Sequence, residues 1–459
     1  MVDGCYKYLY FLFMGQLVPF LISKSDLAGH ILKHEGSVCV VWVQVCKALF
    51  LFEFISSKAF RECVYDYFFF IFAENLKCMK IIREKLFLVW CCLLSVMTVS
   101  AQHLKTISPG EIWPDTKGEH INAHGGGVIL YDGRYYWYGE NRPAKGFTTE
   151  VGVEVYSSDD LINWTDEGVA LAVSSETGSP IERGCIMERP KVIYNAKTKK
   201  FVMLFHLELK GQGYAAAQVG FAVADNPCGP FKFVRALRPN AGIWPADFTK
   251  RDIRKAKKLK EADYKEWWTP AWREAIKDGL LLNRDWAGGQ MSRDMTVFVD
   301  EDGKAYHIFS SEENLTLNLA ELTEDYLDYT GRYIRIAPGG QNEAPTIFKR
   351  DGVYWMITSG CTGWAPNEAR MFRATSLWGP WSQMPSPFVG EDKEKSFHSQ
   401  GTYILSVEGG EQDTYIFMAD RWNPESLKYS RYIWLPIEFD KDGVPIIRWR
   451  DSWAPLIKK

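Results

Sequence analysis

The chain has 459 residues, a formal net charge of −3, 15% aromatic residues and 18 tryptophans. That length suits one large domain or two medium ones. The near-neutral charge excludes a dedicated polyanion binder, so nucleic acid is not an expected partner. So many aromatic faces suit a β-rich core, and they also stack on sugar rings.

In chain order, the N-terminus comes first. Residues 1–78 carry apolar runs such as "VCVVWVQVCKALFLFEFI", without strand or helix periodicity and mostly short for a membrane span. They read either as an extension ahead of a true start at Met79 or as membrane segments. Residues 79–101 form a complete export signal: Lys80, Arg83 and Lys85 are basic, Leu86 to Val96 is apolar, and Val99-Ser100-Ala101 is small. The expected mature domain is 102–459, extracytoplasmic (periplasmic, cell-surface or secreted) and independent of a membrane. Beyond residue 92 only Cys185, Cys228 and Cys361 remain. Their irregular spacing is neither a disulfide framework nor a zinc site, and they read as buried thiols.

A phrase then recurs: "HGGGVILYDGRYYWYGE" from His124, "ERPKVIYNAKTKKFVMLFH" from Glu188, "RDMTVFVDEDGKAYHIFSS" from Arg293, "EAPTIFKRDGVYWMITSG" from Glu343 and "SQGTYILSVEGGEQDTYIFMAD" from Ser399. Each has a polar lead, a short apolar strand, a turn and an aromatic strand, and further strand pairs lie between them. Repetition built from hairpins predicts an all-β, five-bladed β-propeller. A plain sandwich explains the strands but not a polar residue at the same place in every unit. The first strand of each blade lines the channel, so Gly125-Gly126-Gly127, Glu188, Asp294, Glu343 and Gln400 are expected at one mouth. The glycines fit close backbone approach there.

One insertion, about 239–290, holds the charged and plausibly helical "TKRDIRKAKKLKEADYKEWW", then Thr269 and Pro270 as a helix start and Gly279 past its end. Its basic run reads first as a solvated face, and more sharply as a lid or pocket wall.

Several carboxylates converging among Tyr and Trp point to cleavage of a glycosidic bond, whose oxygen must be protonated as it leaves. Glu343 is the candidate acid, held by a rigid Ala-Pro step. Asp294 is placed to raise its pKa by like-charge repulsion. Ion pairs with Arg293 or Arg370 are the structural alternatives for these two. Glu188 is read as holding sugar hydroxyls or as part of an ion pair with Arg189. Glu140 and Asn141 are further hydroxyl ligands, and Tyr138 and Trp364 are stacking surfaces. His398 is a candidate metal contact facing the channel axis.

These motifs, as a set over residues 110–455, resemble glycoside hydrolase family 43, five-bladed propellers that invert anomeric configuration. The resemblance implies that Glu343 is the general acid and Asp294 the residue that tunes it. No cofactor is required, although a structural calcium in the central channel is expected as possible company for His398. Most members carry a general-base Asp on the first blade, where this sequence has His124-Gly125-Gly126-Gly127. That departure is similar to the branch containing exo-β-1,3-galactanases, in which Gln400 matches a residue proposed to handle water. A neutral amide is a weak base, so Glu188 stays as a rival. The expected activity is release of galactose from β-1,3-galactan of the arabinogalactan type, with that polysaccharide as the partner. The alternatives are an α-L-arabinofuranosidase or β-xylosidase, and a glycan-binding propeller without catalysis.

Overall fold

A computed structural model describes residues 103–408 and 413–457. The upstream segment 1–78 and the export signal 79–101 lie outside the described residues. Five sheets follow one another along the chain. Blade I contains β1 (His124–Tyr131), β2 (Arg134–Glu140), β3 (Gly152–Ser158) and β4 (Thr165–Ala172). Blade II contains β5 (Ile186–Asn195), β6 (Lys200–Glu208), β7 (Gln218–Ala224) and β8 (Lys232–Leu237). Blade III contains β9 (Met295–Val299), β10 (Ala305–Ser311), β11 (Thr316–Leu322) and β12 (Tyr329–Ile336). Blade IV contains β13 (Glu343–Arg350), β14 (Val353–Ser359), β15 (Arg370–Ala374) and β16 (Ser382–Met384). Blade V contains β17 (Phe388–Val389), β18 (Gln400–Val407), β19 (Thr414–Arg421), β20 (Arg431–Phe439) and β21 (Pro445–Arg448).

The innermost strands β1, β5, β9, β13 and β18 touch in turn, and β18 returns to β1, so the ring closes as a five-bladed propeller. Blade V departs from the plain repeat. Its short outermost strand β17 precedes β18 in the chain and pairs parallel to β21 through Phe388 and Ile447. Closure is also sealed by a bridge in which the Ile107 and Trp453 amides donate to each other's carbonyls at 2.8 and 3.0 Å.

Tryptophans fill the seam between blades V and I. Trp137 packs on Trp434 at 4.7 Å and on Trp164 at 5.3 Å, and Trp113 meets Trp434 edge-on at 5.0 Å. These rings belong to the core, as alternation along the strands demands.

The insertion forms α1 (Lys250–Ala256), α2 (Pro270–Lys277) and α3 (Leu280–Asp285). Thr269 caps α2, its hydroxyl accepting from Trp272 N at 3.2 Å, with Pro270 in the first turn. Trp272, Ile276, Leu280 and Leu281 bury against Leu315 of blade III. The basic run is shorter as a helix than its composition suggests. Only Ala256 of α1 is buried, so no apolar stripe drives the helix further. The run is a solvated face, while Arg284 and Asp285 of α3 help wall a cleft. Among the described residues no helix is long and apolar enough to cross a membrane. Cys185 is buried as expected, whereas Cys228 and Cys361 are half-buried, and all three are free thiols.

Candidate active site

The repeat places its leading side chains by a shared defect. The β-ladder slips between His124 and Gly127, between Glu188 and Lys191, between Glu343 and Thr346, and between Gly401 and Tyr403. In three of these bulges the second residue takes a left-handed φ: +61° at Gly125, +55° at Arg189 and +49° at Ala344. A bulge turns a side chain out of the pleat. A Cβ on Gly125 would lie 2.1 Å from Glu140 Oε1, so only glycine fits there.

Arg189 ties the mouth together. Its guanidinium donates to Asp294 (Nε to Oδ1 at 3.2 Å, Nη2 to Oδ2 at 2.9 Å), to Gln400 Oε1 at 2.6 Å and to the Gly401 carbonyl at 3.0 Å. Asp294 Oδ2 also accepts from Ala344 N at 3.1 Å. Asp294 therefore pins the peptide that follows Glu343. That contact, with the left-handed Ala344 and Pro345, holds the acid in place.

Among the described residues Glu343 has no ion-pair partner. Arg293 goes to Glu313 at 3.1 Å, and Arg370 donates to the carbonyls of Gly340 and Gln341. One oxygen of Glu343 accepts from Asn314 Nδ2 at 2.7 Å. Burial first, then the charge of Asp294, push its carboxyl up to about 7, against the opposing pull of Arg189. A carboxyl raised that far keeps a substantial protonated fraction near neutral pH, as a proton donor requires.

Gln400 is fixed on every side. Its Oε1 accepts from Arg189 and from Trp422 Nε1 at 2.9 Å, and its Nε2 donates to Ser359 Oγ at 3.0 Å. Arginine and indole N–H groups only donate, so the amide oxygen must face them. Ser359 is the ladder partner of Glu343, which brings Gln400 beside the acid across the blade IV–V seam. Gln400, Ser359, Trp364, Asp420 and Trp422 line a cleft of about 320 Å³. Trp364 is exposed at its rim and meets Trp422 edge-on at 5.5 Å. A second cleft of about 500 Å³, lined by Tyr214, Arg284 and Glu313, opens toward blades II and III.

Glu188 is buried as a supporting group. It accepts from Arg142 Nη2 and Tyr214 Oη, each at 2.9 Å, and meets His206 Nδ1 at 3.1 Å. Burial would raise its pKa, but Arg142 and His206 override this and hold it well below the usual carboxylate range. Burial would lower that of His206, but the carboxylates of Glu188 and Glu208 lift it to about 9. Glu140 is buried too, paired with Arg142 and accepting from Arg189 N at 2.7 Å. It positions Arg189 rather than facing the cleft.

Two further expected contacts, besides Glu140, are corrected. Tyr138 is fully buried between blades, its hydroxyl donating to the Pro227 carbonyl at 2.6 Å, so it offers no stacking face. The inner half of β2 is covered on both sides, which alternation alone did not reveal. Asn141 turns along its own blade and donates to Glu154 Oε1 at 2.8 Å. Arg189, Asp420, Trp422 and His206 were missed. His206 and Asp420 lie near the end of the second strand of their hairpins, directly opposite Glu188 and Gln400. The closing letters of "MLFH" and "FMAD" carried that signal.

The donors present do not suit calcium. Lys191 projects from β5 into the space left by Gly127 and beside Tyr403. Its ammonium donates to the Gly125 carbonyl at 2.8 Å and the Arg189 carbonyl at 3.3 Å. A divalent ion needs a ring of oxygens, and here a lysine already uses the inward carbonyl. His398 is a rim residue, 38% exposed and 3.2 Å from Asp392. The cluster of Glu188, His206 and Asp294 is close enough for a metal, but His206 spends both ring nitrogens on carboxylates and Asp294 is taken by Arg189.

A closed propeller whose mouth sets a carboxyl of raised pKa and a held carboxamide near an aromatic cleft suits glycosidic bond cleavage. Residues 268–445 match the sequence profile of Glycosyl hydrolases family 43. The solved structure of a family 43 β-1,3-galactosidase with galactodeoxynojirimycin is 60% identical, with a TM-score of 0.74, over 76% of this chain and 100% of that one. An exo-β-1,3-galactanase from Phanerochaete chrysosporium with β-1,3-galactotriose is 31% identical, TM-score 0.61, over 77% of this chain and 69% of that one. One from Clostridium thermocellum is 34% identical, TM-score 0.62, over 76% and 66%. A β-D-galactofuranosidase from Aspergillus niger is 28% identical over 136 residues, so the match covers 29% of this chain and 38% of that protein. The chain belongs to glycosyl hydrolase family 43.

Proposed function

We propose that this enzyme is an inverting glycosidase that releases galactose from β-1,3-linked galactan. The observation that carries the chemistry is Glu343, half-buried, without an ion-pair partner among the described residues and with its carboxyl raised to about 7. The sugar is carried by the 60% identity to a β-1,3-galactosidase over that protein's whole length.

In this reading Glu343 gives its proton to the glycosidic oxygen as the bond to the anomeric carbon breaks. The aglycone leaves as an alcohol. Water adds to the anomeric carbon from the opposite face, oriented by the fixed carboxamide of Gln400. The proton it releases passes to a carboxylate. Glu188 is a poor recipient, because three donors stabilise its charge. Asp420, the ladder partner of Gln400, lines that cleft; it accepts from Gly125 N at 2.6 Å and meets His124 Nδ1 at 3.3 Å, with no arginine on it among the described residues, and fits better. Trp364 offers a stacking face for the sugar. The resulting stereochemistry is inversion.

Product analysis on β-1,3-galactan and arabinan tests the assignment. Free galactose supports it. Pentose release favours the arabinofuranosidase or xylosidase alternative, and binding without product favours a glycan-binding propeller. We also propose export, on the pattern of residues 79–101. N-terminal sequencing of the extracytoplasmic protein, expected to begin near Gln102, checks this.

A further inference from the structure

Two adjacent indoles on the insertion stand out of the core. Trp267 and Trp268 are 43% and 46% exposed, whereas Trp272, on which both rings pack, is fully buried. Trp267 stacks on Trp272 at 5.3 Å, and Trp268 leans on it at 5.1 Å. Trp268 also takes φ +71°, a conformation that bulky residues rarely adopt. Covering Trp272 requires only the inner faces of these rings. The Arg273 guanidinium lies over the Trp268 ring, 5.6 Å from its centroid, and the surface of the two rings that remains exposed forms an aromatic ledge backed by a rigid base.

The ledge is connected to the mouth. Trp272 shares a cluster with Leu315, and the Leu315 carbonyl accepts from Gln341 N at 3.3 Å. The residue before Leu315, Asn314, is the one that donates to Glu343. Gln341 belongs to the loop that leads into Glu343. The Arg273 carbonyl lies against Gly339 of the same loop. The ledge thus stands on the two loops that frame the acid.

We propose that Trp267 and Trp268 form a second saccharide-binding site, one that takes galactose units of the polymer beyond those held in the cleft. Indole faces stack on the C–H face of a pyranose, and two side by side suit a chain rather than a single sugar. This rests on the galactan reading above. The site raises affinity for long chains and leaves the chemistry at Glu343 unchanged.

The test uses the full-length enzyme with Trp267→Ala/Trp268→Ala and the milder Trp267→Phe/Trp268→Phe. In affinity electrophoresis through β-1,3-galactan, the wild type is retarded, the Ala pair loses that retardation and the Phe pair keeps most of it. The KM for the polymer rises about five- to tenfold in the Ala pair, the size of one or two stacking contacts, while kcat/KM on β-1,3-galactobiose is unchanged. Unaltered retardation and polymer KM in the Ala pair overturn the proposal, as does an equal loss on polymer and disaccharide. Retardation by galactan without galactose release would instead remove the proposed activity and leave the ledge standing.

Discussion

Glu343 shows how a single side chain acquires a task from its surroundings. Its carboxyl is lifted to about 7, so the working acid is present below that pH and lost above it. The rate should therefore fall as pH rises through about 7. Glu343→Gln should lower kcat on galactan by about three orders of magnitude or more, as for loss of an essential general acid. The sign for stability follows from linkage. A carboxyl raised in the fold favours folding at low pH, and that contribution disappears as pH climbs from the ordinary carboxylate range through 7. Glu343→Gln should thus raise Tm at pH 8 relative to wild type, with a smaller difference at pH 5. Arg189 tests geometry against charge. Arg189→Lys keeps the cation but cannot span Asp294, Gln400 and Gly401 together. A drop in kcat of about 10- to 100-fold is expected, with KM little changed. Glu343 was legible because a carboxylate before an Ala-Pro step is conspicuous. Arg189 was not, since an arginine beside a glutamate reads first as its ion-pair partner.

At the scale of the element, the hairpin and its bulge decide where chemistry goes. A Cβ on Gly126 would stand 1.8 Å from the Tyr138 carbonyl oxygen across the β1–β2 pair. Gly126→Ala should cost about 3 kcal/mol or more, because backbone, not a flexible side chain, must move. Gly133, in the turn at φ +77° with open space around it, should accept Asn with a change within about 1 kcal/mol. Urea melts of the two variants check the contrast. The hairpins were legible from alternation and turn residues. The bulges were not, because a register slip leaves no distinctive residue type. The length of α1 was misjudged for the opposite reason: charged helix formers abound there, but packing gives the helix only one buried residue.

At the scale of the whole molecule, the ring is held by its seam. Ile107 and Trp453 pair across it, and Trp453 Nε1 donates to the Trp434 carbonyl at 2.7 Å. Trp453→Ala removes a large side chain and leaves that carbonyl unpaired, at a cost of about 3–5 kcal/mol. A lowered Tm with intact β-sheet circular dichroism at 20 °C would show it. Near the channel, Lys191 already uses the Gly125 and Arg189 carbonyls, which makes it a poor neighbour for a divalent ion. Chelation should therefore leave Tm and kcat unchanged, and a fall in either with EDTA would refute this account of the channel.

The sequence by itself determined the repeat, the blade number, the position of the insertion and the carboxylates Glu343 and Asp294 at the leads of their units. Those features are local: a strand, a turn and a polar lead are written within one unit. Only the tertiary structure decided which polar side chains serve the mouth and which lie beneath it. Arg189 and Gln400 are 211 positions apart, and they meet at 2.6 Å because ring closure brings the inner strands of the second and fifth blades to one mouth. Burial likewise sent Tyr138 to the core and left Trp364 at the rim, although both are aromatic residues in β-rich segments. Contact and desolvation depend on closure of the ring, and no single repeat contains that information.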